Sequence, residues 1–277
     1  MKLVENIQSI YKRISDLKEN SRDCLTNFYP NEEKLDYWIK KSILFTKNTK
    51  DTVFYFRKDR DFFHLYFYSR NKLDLEQELK IINSELTDIF IVDYIGNESN
   101  INIMVDVLEQ CGFHKYIMYK RMKKFINANE ILPDVNQDIS YADLEDAPII
   151  FSMFENNFDR FAEQLPTIDE LEIAIRNREI IVLKDAINIA GILIRKMTPK
   201  SSLWMFFLVN KEYRNKKIGS KLLSFYFNEC KDKRITMMVL ANNYNAINIY
   251  KHYGFDFDGI VDQIMTNKNI QYEPRNN

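Results

Sequence analysis

Residues 203–219 read LWMFFLVNKEYRNKKIG, an apolar run that stops abruptly at a cationic turn. The run 203–209 suits a buried strand and is too short to cross a membrane. Residues 210–217 are polar and carry Lys211, Arg214, Lys216 and Lys217; beyond them Ile218, Leu222, Leu223 and Tyr226 recur at helical spacing. The pattern predicts strand, basic turn, helix. A turn that opens a helix presents unpaired backbone N–H groups and the positive end of the helix dipole, and the added cations suit it to a phosphate or pyrophosphate. The ligand this predicts is a nucleotide-like anion.

A second segment lies about thirty residues downstream, past a β-rich run at 235–240. Residues 243–255 read NYNAINIYKHYGF. Ala246, Ile249, Tyr250 and Tyr253 fall on one helical face, and Gly254 suits the left-handed position that ends a helix before the next strand.

Together these two segments resemble the GNAT acetyltransferase superfamily. Its pyrophosphate loop, Arg/Gln-x-x-Gly-x-Gly/Ala, is similar to 214–219, with Lys217 where the first glycine is usual; residues 243–255 match Asn-x-x-Ala-x-x-x-Tyr-x-x-x-Gly-Phe at every fixed position. Lysine tolerates positive φ and close phosphate approach less freely than glycine, but adds a charge. The resemblance covers about residues 138–270. It implies an α+β fold with a central, mostly antiparallel sheet flanked by helices. It also implies acetyl-CoA as cosubstrate and transfer of its acetyl group to a primary amine by direct attack. Carried onto this sequence, it places the pyrophosphate on Arg214, Asn215, Lys216, Lys217, Ile218, Gly219 and Ser220, with Asn243 nearby. The pantetheine arm lies along 207–210, the amide of Leu208 or Val209 serves as oxyanion donor, and Tyr250 is the general acid.

The chain has 277 residues, 45% of them hydrophobic and 14% aromatic, which is ample for two cores. Lys plus Arg number 39 against 40 Asp plus Glu, a formal charge of −1, which argues against a general nucleic-acid or anionic-membrane binder. Cys24, Cys111, Cys230, His64, His114 and His252 offer no metal-ligand spacing, so no metal is expected. With no secretory or membrane-spanning segment read in the sequence, a cytoplasmic protein is expected. The expected partner is a small-molecule or peptide amine, the assembly a monomer or homodimer.

Read in order, Ile7, Ile10, Ile14 and Leu17 predict an amphipathic helix, and Asn31 opens a second one carrying Leu35, Trp38, Ile39 and Ile43. Runs at 53–56 and 62–68 predict a hairpin with its turn at 57–61, followed by a helix over 75–86, a strand over 89–94 and a helix over 101–110. Residues 107–113, VLEQCGF, followed by a strand-like tail, echo 249–255. Aligning Gly112 with Gly254 puts Leu108 opposite Tyr250 and Ile101 opposite Asn243. Either the first domain is a degenerate copy of the second, giving a tandem arrangement, or it is an unrelated α+β domain. The domains expected are 1–127, a linker at 128–137 around Pro133, and 138–277. In the second, 139–141 is a strand, Asp143 or Asp146 caps a helix through Asn157, and Thr167 with Glu170 forms a capping box. Strands follow at 180–183, 187–195 and 202–209, and after the second segment a final strand pair closes the sheet.

No general base is legible, because 203–209 carries no carboxylate; Glu155, Asp159 and Glu163 each fit the position where relatives gather substrate. Two alternatives stay open: a non-catalytic acyl-CoA sensor or scaffold, which Lys217 and the missing base favour, and a transferase of a longer acyl or aminoacyl group.

Overall fold

Helix starts follow the caps that the sequence carries. Asn6, Asn31 and Asn71 each accept a backbone N–H from the first turn they precede, and Thr167 with Glu170 forms the expected capping box. A computed structural model describes residues 1–19, 24–127, 129–130 and 138–272 of the chain. In order these form β1 (Lys2–Leu3), α1 (Ile7–Lys18), β2 (Leu25–Thr26), α2 (Glu32–Lys40), β3 (Leu44–Asn48), β4 (Thr52–Asp59) and β5 (Phe62–Ser69). Then come α3 (Lys72–Glu85), β6 (Ile89–Asn97), α4 (Ile101–Gln110), β7 (His114–Ile126), β8 (Ile139–Tyr141), α5 (Ala147–Asn157), α6 (Ile168–Arg176) and β9 (Ile180–Asp185). The chain continues with β10 (Asn188–Met197), β11 (Ser201–Val209), α7 (Ile218–Glu229), β12 (Lys233–Leu240), α8 (Tyr244–His252) and β13 (Asp256–Thr266).

The chain forms two compact units, one of Met1–Met118 with Gly259–Tyr272, the other containing Tyr119–Asp258. This differs from the division at 127 and 138 expected from the sequence, because two strands cross it. Residues 119–126 of β7 pair antiparallel with β12, and residues 260–266 of β13 pair antiparallel with β6. Each unit thus receives a strand from the far side of the boundary, and the final strand pair expected in the second domain is replaced by β7. Pairing of this kind is non-local and leaves no mark on composition. The linker expected at 128–137 falls mostly outside the described residues.

In the second unit the strands run β8-β9-β10-β11-β12-β7, mixed but mostly antiparallel, with only β11 and β12 parallel. α7 and α8 cover one face around Trp204, Leu222, Tyr226 and Phe255, and α5 and α6 cover the other around Phe154, Leu171, Phe206 and Leu208. The first unit repeats the plan: β1-β3-β4-β5-β6 with the end of β13, α3 and α4 on one face, α1 and α2 on the other. The sequence echo is also geometric. Gly112 and Gly254 have φ of 86° and 83°, and the bonds Phe113 N–H to Leu108 carbonyl and Phe255 N–H to Tyr250 carbonyl are both 3.0 Å, the same helix-ending motif.

A further expectation from the sequence is corrected. The turn predicted at 57–61 shrinks to Arg60 and Asp61, with Arg57 and Asp59 inside β4. Both side chains are buried because the strand gives them partners: the Arg57 guanidinium lies 5.3 Å over the Trp38 ring, and Asp59 accepts from Arg60 at 2.7 Å.

Candidate active site

The second unit opens a slot in its own sheet. β11 and β12 pair in parallel only from Ser201 opposite Arg234 to Trp204 opposite Met237, and beyond Trp204 they part. A register shift between Ile194 and Arg195 of β10 leaves Met205 of β11 without an opposing residue, which is a β-bulge at the point of divergence. The bulge also reverses the alternation of side chains. Ser202 and Trp204 face α7 and α8, where the Ser202 and Tyr226 hydroxyls lie 2.7 Å apart, whereas Phe206 and Leu208 face α5 and α6. The Asn210 N–H donates to the Ala190 carbonyl at 3.0 Å, so the alternation of an antiparallel pair turns the Leu208 N–H toward β10. Phe207 and Val209 then present N–H and C=O to the slot. Of the two amides considered as oxyanion donors, that of Val209 faces the slot and that of Leu208 belongs to the ladder.

The basic turn follows directly. Asn210 caps a single 3-10 turn, Lys211–Tyr213, and Asn215 and Lys217 both adopt the left-handed conformation, with φ of 64° and 60°. Lys217 therefore holds the backbone shape that a glycine would reach more cheaply. It is the N-cap of α7 but makes no side-chain cap bond, and the first helical hydrogen bond runs from the Lys221 N–H to the Lys217 carbonyl at 3.1 Å. The N–H groups of Ile218, Gly219 and Ser220 thus lack intrahelical acceptors at the positive end of the helix. Close packing sets the helix against the strands: a Cβ at Gly219 would lie 3.3 Å from the Phe207 ring, and one at Gly191 would lie 2.8 Å from both Ile218 and Leu222. Gly191, a glycine inside a strand, is a signal that sequence reading passed over.

The other expected residues gather around this slot. Lys216 Nζ stacks 4.9 Å from the Tyr213 ring, leaving its charge at the turn. The Ser220 hydroxyl accepts from Tyr253 Oη at 3.1 Å, tying α7 to the end of α8. Asn243 caps α8 by accepting the Ala246 N–H at 3.1 Å, a structural duty for its Oδ1. The Tyr250 ring packs edge-on against Trp204, 5.2 Å between centroids, at the vertex of the slot. Burial pushes its hydroxyl up to about 12, so it holds its proton at neutral pH. A groove of about 500 Å³ runs from Asn210 along Ser152, Met153, Asn156 and Asn157 of α5, lined by uncharged groups.

The first unit has the same divergence but closes it from within. β5 and β6 pair in parallel from Phe62 to His64 and then part. There β2 pairs with β5, and the Asn27 side chain donates to the carbonyls of Leu65 and Asp93 at 3.0 and 3.1 Å while accepting the Phe67 N–H at 2.8 Å. At the head of α3, Asn71 accepts the N–H groups of Leu73 and Asp74, and the first turn carries the acidic Asp74. Both features that could hold an extended arm and a pyrophosphate are satisfied internally.

The second unit is thus built around a strand that splays at a bulge and feeds a helix start without a side-chain cap. Residues 176–256 match the family model described as the acetyltransferase (GNAT) domain. The matched stretch runs from β9 through α8 and so contains the splayed strand, the basic turn and Tyr250. The chain is 35% identical over 60 residues to a probable spermine N(1)-acetyltransferase of Bacillus subtilis subsp. natto, a stretch that spans 20% of this chain and 40% of that protein. The fold is similar to that of a GCN5-related N-acetyltransferase from Sphaerobacter thermophilus, with a TM-score of 0.57, 15% identity and 87% of each chain covered. A tandem GNAT protein from the clavulanic acid biosynthesis pathway aligns over 95% of this chain and 96% of its own, with a TM-score of 0.58 and 10% identity. The tandem plan of two GNAT-like units therefore extends over most of the chain. Among the described residues no group of His, Cys, Asp and Glu is arranged to hold a metal ion, and no helix is long and apolar enough to cross a membrane.

Glycine at position 217 provides a first test of the turn. Lysine in the left-handed region costs about 1 kcal/mol, which Lys217→Gly relieves while loosening the unfolded chain by a similar amount. Stability to urea is expected to stay within about 1 kcal/mol of wild type. Coenzyme A binding is expected to persist with a weaker dependence on salt, because the backbone N–H groups remain and one cation is lost. Loss of binding at low salt in a folded K217G chain would mean that the lysine side chain, not the backbone, is the main anion contact.

Proposed function

We propose that this protein is an acetyl-CoA-dependent N-acetyltransferase that acts on a primary amine, with its single coenzyme A site in the second unit. The observation that carries the reading is the continuity of the slot edge at Phe207 and Val209 with the uncapped start of α7. A pantetheine arm is peptide-like and can pair with that edge, and the pyrophosphate then meets the N–H groups of Ile218, Gly219 and Ser220 with the cations of Arg214, Lys216 and Lys217 around them. The Val209 N–H stabilises the oxyanion that forms at the thioester carbonyl. The neutral amine attacks that carbon, the C–N bond forms, the C–S bond breaks, and Tyr250 gives its proton to the departing sulfur. The first unit, with its own slot and helix start filled, shapes or stabilises and binds no coenzyme A.

The test is release of free thiol from acetyl-CoA by the full chain in the presence of spermine, spermidine, an amino acid and a peptide with a free N-terminus. Amine-dependent thiol release is expected with at least one of them. Retention of coenzyme A without turnover on any amine would instead support an acyl-CoA sensor.

A further inference from the structure

The reaction as drawn needs a group to take a proton from the incoming amine. An aliphatic amine with a pKa near 10 arrives almost wholly as an ammonium at neutral pH, and the ammonium has no lone pair with which to attack. β11 carries no carboxylate. The segment between α5 and α6, however, packs over the slot. Its Phe158 ring lies 5.3 Å from Phe206, and Phe158 and Leu165 share a core with Phe206 and Leu208. Between them Glu163 turns toward the other side of the opening. Its carboxylate accepts the Tyr119 hydroxyl at 3.1 Å, and Tyr119 stands opposite Leu240, the last residue of β12. Glu163 thus links the segment packed on β11 to the strand beyond β12, the two sides of the gap into which the thioester is proposed to reach.

Resting on the acetyltransferase reading, we infer that Glu163 is the general base of this reaction and that Tyr119 is its positioning residue. The Glu163 carboxylate takes a proton from the ammonium and frees the amine lone pair. The amine forms the C–N bond as the C–S electron pair leaves with sulfur, and Tyr250 protonates the thiolate. The acyl-ammonium gives up its second proton to solvent, and both side chains return by exchange with water. Per turnover, ammonium and acetyl-CoA become amide, coenzyme A thiol and one proton.

The surroundings suit that task. Burial raises the Glu163 carboxyl to about 7, the Asp159 carboxylate beside it pushes in the same direction, and the Tyr119 hydrogen bond opposes them. A carboxylate poised near neutrality is ionised enough to accept a proton and basic enough to take it. Glu155 and Asp159, the other carboxylates of this stretch, do not share the arrangement: Asp159 Oδ1 accepts the N–H groups of Phe161 and Ala162 at 2.8 and 2.9 Å and is spent on the local turn, and Glu155 sits within α5.

The experiment compares wild type, Glu163→Gln and Tyr119→Phe as full chains, with acetyl-CoA and whichever amine of the panel wild type turns over fastest. Wild-type kcat/KM is expected to rise with pH through an acid limb near 7. E163Q should lose that limb and about 10²-fold in rate at neutral pH, and should approach wild type as pH nears the pKa of the amine, which then deprotonates unaided. Y119F removes a bond that favours the ionised carboxylate, so its limb should move to higher pH with kcat largely kept above it. Coenzyme A affinity should be unchanged in both. An E163Q profile that keeps its acid limb, or a Y119F limb that stays in place, overturns the assignment while leaving the acetyltransferase reading intact. Absence of wild-type turnover on every amine overturns that reading and this inference with it. Carbon-13 NMR of glutamate-labelled chain supplies a readout apart from activity: the carboxyl signal missing in E163Q should titrate near 7 in wild type, and titration in the ordinary glutamate range counts against the proposal.

Discussion

Tyr250→Phe is expected to slow turnover about 10²- to 10⁴-fold while leaving coenzyme A affinity close to wild type. The ring is kept, so the edge-on contact with Trp204 and the 6.3 Å contact with Phe255 survive, and the helix end at Gly254 is untouched. What disappears is a hydroxyl that burial keeps protonated at neutral pH, and with it the proton proposed for the leaving sulfur. Steady-state kinetics paired with calorimetric binding of coenzyme A separates the two effects. Wild-type turnover of Y250F across the pH range, under conditions where chemistry limits the rate, would remove Tyr250 from the mechanism.

Reversing the charge of the turn with Arg214→Glu and Lys216→Glu should weaken coenzyme A binding by an order of magnitude or more, roughly 1.4 kcal/mol per tenfold. Two cations become two anions beside the start of α7, where the pyrophosphate is proposed to lie, and the helix dipole alone contributes about 0.3–1 kcal/mol. The wild-type affinity should fall as salt rises, since exposed charges are screened within about 10 Å at 0.1 M. Folding should be little affected, because Arg214 and Lys216 are outside the buried core. A doubly reversed chain that binds as tightly as wild type at low salt would show that the anion is held elsewhere.

Much of this site was legible from residue order, and the parts that were not share a cause. An apolar run meeting Arg214, Lys216 and Lys217 and then a helical period is a local pattern, and so is the Asn243 to Phe255 segment with its cap and closing glycine. Both the strand–turn–helix and the helix-ending motif stand where the residues indicated. The bulge at Met205 is a register relation between two strands, invisible in either one, yet it sends Trp204 and Phe206 to opposite faces. The strand exchange through β7 and β13 is likewise non-local, which is why the expected boundaries at 127 and 138 differ from those of the compact units. Closure of the first slot depends on two strand residues, Leu25 and Thr26, and on the Asn27 amide, too short a stretch to register as a strand by alternation. Glu163, the base proposed above, could be placed among three candidates but not chosen, because its raised pKa comes from burial and its hydrogen bond from Tyr119, forty-four positions away.

The repeated fold sharpens the question of what the first unit does. Its β5 and β6 diverge as β11 and β12 do, but no register shift interrupts the pairing of β4 with β5, and its helix start is capped by Asn71. The second unit keeps a bulge, an unpaired edge and a helix start without a side-chain cap. Leaving buried or helix-end polar groups without partners is costly unless a ligand supplies them, and this contrast is the ground on which the anion is proposed for the second unit.

Calorimetric titration of the full chain with coenzyme A tests that division most directly. One site per chain is predicted, with binding abolished or strongly weakened by the Arg214→Glu, Lys216→Glu pair and unaffected by Asn71→Ala, which frees donors at the start of α3 but leaves the first slot filled by residues 25–27. Two sites per chain, or a single site that survives the charge reversal, would contradict it.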